Sequence, residues 1–194
     1  MDASPYDIRL ARVDDLDLIK ASIRRTLNNP EGRSQRKKFA DAFDRGELLI
    51  LVRRERDGAE WVDAFVEWHT RVDGAVTIRD AGWAGEEPNP GHVKRLLREL
   101  LRMTAPPSAS VKVEAEKEVW NQLFAETAGF RPDGREYSRS KWWNLWTWTA
   151  ANEQVDRARE QQNRFRGPPM RGRRRGPSTR WRPTPAWPTA PPWL

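Results

Sequence analysis

The chain has no cysteine, which excludes disulfides, thiolate metal sites and a cysteine nucleophile. It has only two histidines, His69 and His92, too few for a zinc site without help from carboxylates, so no metal is expected. No apolar run approaches the length of a membrane span, and no membrane partner is expected. The first residues, Met-Asp-Ala-Ser-Pro-Tyr-Asp, lack a basic segment followed by an apolar one. The expected location is therefore the cytoplasm, or a particle assembled there. Acidic residues also run out: none follows Glu160.

What remains is basic charge and tryptophan. The net charge of +7 favours anionic partners, although a solvated basic face gives the same total. A chain of 194 residues, 37% hydrophobic, suffices for one domain with a real core. Eleven tryptophans are many, and Trp181, Trp187 and Trp193 fall in a tail that cannot form a core of its own.

Apolar periodicity orders the first 150 residues. Residues 7–12 read as a strand with Ile8 and Leu10 on one face. A helix starts at Asp14 or Asp15, carries Leu16, Ile19, Ile23 and Leu27 at helical spacing, and ends at Asn28, Asn29 and Pro30. A second, basic helix runs from Ser34 through Phe39 and Phe43 to Gly46. Its basic face, including Arg36, Lys37 and Lys38, would be solvated or turned toward an anion.

Strands are predicted over 47–54, 61–70 and 76–82, joined by Asp57-Gly58 and Asp73-Gly74. Asp-Gly between alternating strands predicts a tight hairpin of type I′. In the middle strand Val62, Ala64, Val66 and Trp68 should share the apolar face, leaving Glu67 and His69 on the other. That pair would either face solvent or tune a proton-transfer site near neutral pH.

A helix from Gly91 to about Met103 buries Val93, Leu96, Leu97, Leu100 and Leu101, and Pro106-Pro107 breaks the chain after it. A strand over 110–114 and a helix over 118–128 follow, the latter burying Val119, Leu123 and Phe124. Gly129 closes this helix, Phe130 and Tyr137 belong to the next strand region, and Trp142, Trp143, Trp146 and Trp148 mark a last strand over 141–149.

Residues 151–165 form a polar helical linker with few apolar residues to dock it. Residues 166–194, rich in arginine, proline, glycine and tryptophan, are expected to be extended, disordered alone, or ordered by a partner. Arg171, Arg173, Arg174, Arg175, Arg180 and Arg182 suit the phosphates of a nucleic acid or another anionic surface. Trp181, Trp187 and Trp193, set among prolines, suit anchoring in a protein groove. The partner through this tail is another protein or a nucleic acid.

A helix ending in Ala-Gly-Phe at 128–130, within the order β-α-α-β-β-β-α-β-α-β-β over residues 7–149, resembles the GNAT acyltransferase superfamily. The resemblance implies an α/β (α+β) fold: a mixed, mostly antiparallel sheet flanked by helices over 1–150, plus the extended tail. It implies acetyl-CoA as the cofactor and transfer of an acyl group to an amine. The strand before the third helix would splay from its neighbour, and that helix's N-terminus would receive the coenzyme's pyrophosphate.

The family pattern at that helix is Arg or Gln, two residues, Gly, one residue, then Gly or Ala. Here it reads Glu86-Glu87-Pro88-Asn89-Pro90-Gly91, so Gly91 matches, Asn89 replaces the central glycine, and Lys94 and Arg95 would supply countercharge. The resemblance further implies a general base, Asp80 or Glu67, and an oxyanion site of backbone N–H groups near 81–83. The tyrosine that many members carry in the fourth helix is Ala125 here, leaving Tyr137 as the candidate acid. Two functions follow: an N-acyltransferase with an unusual phosphate loop, or a GNAT-like module without catalysis that serves binding or assembly through its tail.

Overall fold

The computed structural model describes residues 5–28, 35–85 and 87–165. Asn29, Pro30, Ser34, Glu86 and the tail candidates Arg171, Arg173, Arg174, Arg175, Arg180, Arg182, Trp181, Trp187 and Trp193 lie outside the described residues. The elements are β1 (Tyr6–Leu10), α1 (Asp15–Ser22), β2 (Ile23–Thr26), α2 (Gln35–Asp44), β3 (Leu48–Arg54), β4 (Glu60–Thr70) and β5 (Val76–Ala84). Then come α3 (Pro90–Thr104), β6 (Ala109–Glu114), α4 (Glu118–Ala125), β7 (Phe130–Ser138), β8 (Lys141–Trp148) and α5 (Ala150–Phe165).

Seven strands lie in the order β1-β3-β4-β5-β6-β8-β7, with β2 added on β5. Only β5 and β6 run parallel; the other pairs are antiparallel. Leu96, Leu97 and Leu100 of α3 and Leu123 and Phe124 of α4 pack with Leu51, Val66, Ile78 and Val111 on one face of the sheet. Ile19 of α1 and Phe39 of α2 pack with Ile50 and Phe65 on the other. Both faces are thus covered where the sheet is most apolar, as burial requires.

The predicted first helix is shorter than its apolar spacing suggests. It stops at Ser22, and Ile23, in extended conformation, opens β2. Ile23 and Leu27 are still buried, but on opposite faces of the sheet: Ile23 beside Phe39, Leu27 beside Trp83. A strand pairing on β5 has replaced the last helical turns, because tertiary pairing outweighs weak helix propensity in a β-branched segment.

Both hairpins form, with a different turn from the one predicted. Gly58 and Gly74 take positive φ, while Asp57 and Asp73 do not. Each is a three-residue loop in which the glycine N–H returns to Glu55 or Arg71. The Asp57 and Asp73 carboxylates accept the N–H two residues on, from Ala59 and Ala75, at 3.0 and 3.1 Å.

Bulges also break the predicted alternation. The register of β3 on β4 shifts between Leu51↔Ala64 and Val52↔Val62, leaving Asp63 as the extra residue. Val62 therefore packs with Val52 and Phe65, not with Ala64, Val66 and Trp68.

Candidate functional site

The register of β4 on β5 shifts between Glu67↔Asp80 and Trp68↔Ile78, so Arg79 is the extra residue. Before it, Val76 and Ile78 point into the α3 face; after it, Ala81 and Trp83 do. Asp80 is thereby turned to the α1–α2 side, directly across from Glu67. The two carboxylates are 1% and 2% exposed. The expectation of a solvent-facing Glu67 is overturned: α2 covers this part of the sheet.

Asp80 Oδ1 accepts N–H groups from Ala81 at 2.9 Å and Asn28 at 3.0 Å. Glu67 lines a small hollow with Asp41, Arg45, His69 and Arg79. His69, the predicted neighbour of Glu67, borders the same hollow, and its Nδ1 lies 3.4 Å from Glu47 Oε2. Burial pushes the Glu47 carboxyl up, but bonds from Arg45, the Thr70 N–H and His69 outweigh it and hold the group below its usual range. Arg79 is exposed and borders a larger groove too, of about 830 Å³, lined also by Asn28, Lys112, Glu136, Trp143 and Thr147. The sheet alternation places this groove opposite the face that buries Val111 and Val113.

Strands β5 and β6 pair only at Val76↔Ala109, Thr77↔Ser110 and Ile78↔Val111. Beyond Ile78 they part. The opening holds two indoles, Trp83 and Trp120, stacked with centroids 4.5 Å apart. The Trp83 indole N–H is buried with no acceptor among the described residues. Along the freed edge of β5 lies β2, paired as Ile23↔Ala84, Arg25↔Trp83 and Thr26↔Gly82, and the Leu27 N–H reaches the Ala81 carbonyl at 2.8 Å. The Lys117 ammonium at the start of α4 donates to the Leu27 carbonyl.

Helix α3 begins at Pro90, with Asn89 as its N-cap and no side-chain cap bond. Its first N–H groups face outward without helical partners, and its dipole favours an anion there. A side chain at Gly91 would meet only Asn89 Oδ1, at 3.5 Å. The predicted countercharges are engaged elsewhere: Lys94 with Glu126, which follows the last residue of α4, and the Arg95 guanidinium over the Tyr6 ring at 5.9 Å. Tyr137 sits on the edge strand β7, 60% exposed and 5.2 Å from Trp142. The structure brings Asp80 and Glu67 together and leaves Tyr137 three strands away from β5. The pair's alignment had no signal in the sequence, since it depends on the bulge at Arg79.

No family model matches the chain, and no curated protein matches it. Solved structures do. An acetyltransferase of the GNAT family from Bacillus cereus superposes with a TM-score of 0.57 at 16% identity, over 74% of this chain and 96% of that one. Spermidine/spermine N-acetyltransferase of Vibrio cholerae gives 0.55 at 14%, over 79% and 97%. A chain of the NatC complex bound to Gag peptide and CoA gives 0.59 at 12%, over 75% and 99%. The strand order, the β5–β6 splay and these likenesses together define a GNAT-fold protein.

Proposed function

We propose that the chain is an N-acyltransferase of the GNAT type, with acyl-coenzyme A as donor and an amine as acceptor. The observation that carries the reading is the buried pair Glu67 and Asp80 beside the point where β5 leaves β6. Two features fit the coenzyme: the N-terminus of α3 at Gly91, which suits a pyrophosphate, and the Trp83 N–H, without an acceptor among the described residues, which an oxygen on a ligand would relieve. One feature opposes it, the β2 segment on the β5 edge. The coenzyme supplies an activated acyl group when bound. The chain's own part is to hold the pyrophosphate at Asn89 and Gly91, admit the amine from the groove beside Arg79, and take its proton at Glu67 or Asp80 through water.

The β2–β5 pairing favours a second reading, a GNAT-fold module without catalysis that binds or assembles through its basic, tryptophan-bearing tail. Calorimetry with coenzyme A on the full chain and on Leu27→Pro, with thiol release from acetyl-CoA over a panel of amines, separates the two. Heat and thiol release support the enzyme; absence of heat from both proteins at millimolar coenzyme overturns it.

A further inference from the structure

We infer that β2 is a built-in occupant of the coenzyme slot, a strand that must leave β5 before acyl-coenzyme A enters. The inference rests on the acyltransferase reading and adds a regulatory device to it. An outward-facing strand edge accepts any extended chain with amides at peptide-like spacing. The arm of coenzyme A carries two such amides. On β5 the edge beyond Ile78 is the only stretch that β6 leaves open, and β2 takes it over Gly82–Ala84. Leu27 continues the pairing at the Ala81 carbonyl and fills the opening beside Trp83 and Trp120, fully buried. Ligand arm and β2 therefore compete for one set of backbone groups.

The attachment is of a kind that can reverse. The strand has four residues, and its register is broken between Ile23 and Arg25. Beyond the ladder its ties include Leu27 N–H to Ala81, Asn28 N–H to Asp80, and Lys117 to the Leu27 carbonyl. The second tie matters for chemistry as well. While β2 is docked, Asn28 engages the carboxylate proposed as base, and its side-chain amide donates to the Arg79 carbonyl. Departure of β2 would clear the slot and take the Asn28 bond away from Asp80 in one movement. The closed form lowers apparent affinity by the fraction of time the slot stands open.

Two variants weaken the strand by different routes. Leu27→Pro removes the N–H that bonds Ala81, and Lys117→Met removes the tie from α4 while leaving β2 itself unchanged. Coenzyme A is titrated into the full chain and both variants by calorimetry. Hydrogen exchange of β2 and β5 amides is followed with and without the coenzyme. Each variant should bind about tenfold tighter or more than the parent. In the parent, saturating coenzyme A should expose the Leu27 amide while leaving protection on the β4 side of β5 intact. Equal affinity in all three proteins, with Leu27 still protected at saturation, overturns the occupant and leaves the acyltransferase reading standing. Absence of binding in all three, with circular dichroism showing the fold intact, overturns both.

Discussion

Gly129 lies against the indole of Trp148 with no room for a side chain. A Cβ built at Gly129 would overlap the Trp148 ring and come within 2.9 Å of Glu153 Cβ, and φ there is +89°. The turn between α4 and β7, the end of β8 and the start of α5 meet at this point. Gly129→Ala should therefore destabilise the chain by about 2–5 kcal/mol, combining the left-handed penalty with overpacking. Urea unfolding followed by tryptophan fluorescence measures it; a loss under about 0.5 kcal/mol would contradict the close approach.

Helix α5 is docked by charge rather than by an apolar face. Arg131 donates twice to Asp156, at 2.9 and 2.5 Å, and the Gly129 N–H donates to the same carboxylate at 2.9 Å. The Arg131 bonds, with help from Gly129, hold the Asp156 carboxyl below its usual range. A carboxyl lowered in the folded chain stabilises at pH above its unfolded value and loses that contribution as pH falls through its folded one. Docking of α5 should hold from neutrality down to about pH 4 and weaken below it. Asp156→Asn should cost about 1 kcal/mol at neutral pH and remove that acid dependence. Hydrogen exchange in α5 across the pH range reports it, and an unchanged acid transition in the variant would assign the effect to another group.

Glu67→Gln and Asp80→Asn keep the size of each side chain and remove its charge. If either carboxylate takes the proton of the acceptor amine, its variant should lose about 10²-fold or more in turnover with coenzyme affinity unchanged. Steady-state rates on the best amine, beside coenzyme titrations, test this. Full activity in both variants would remove the pair from the chemistry.

A Cβ at Gly91 would make only an ordinary contact, with Asn89 Oδ1 at 3.5 Å, so Gly91→Glu should leave the melting temperature within about a degree or two while weakening coenzyme binding. The carboxylate would sit where α3 presents its positive end. Retained affinity would move the pyrophosphate away from α3.

Removal of residues 166–194 should leave melting nearly unchanged, because a proline-broken segment adds little to a core. If the tail is an attachment device, as the second reading has it, removal should sharply reduce binding to an anionic or protein partner. Steep loss of affinity with salt in the full chain would assign the contact to arginine and phosphate. Salt-insensitive binding that falls when Trp187 and Trp193 become alanine, by about 2 kcal/mol for each hot spot, would assign it to a protein groove. A truncated chain that melts early would show that the tail packs back on the domain.

Periodicity alone determined the order of the elements apart from β2, and the two Asp-Gly hairpins, because each is written in neighbouring residues and their backbone preferences; α4 itself stops at Ala125, short of the stop expected at Gly129. The buried stripe of α3 was legible for the same reason: Val93, Leu96, Leu97, Leu100 and Leu101 are all buried as spaced. The site was decided elsewhere. One extra residue at Arg79 turns Asp80 to face Glu67, and one at Asp63 sends Val62 to the opposite core. Helical spacing at Ile23 and Leu27 gave way to pairing with β5, since an unpaired buried edge costs more than a lost helical turn. Such choices depend on which backbone groups lie free across the sheet, and that is set by residues more than fifty positions away in the chain.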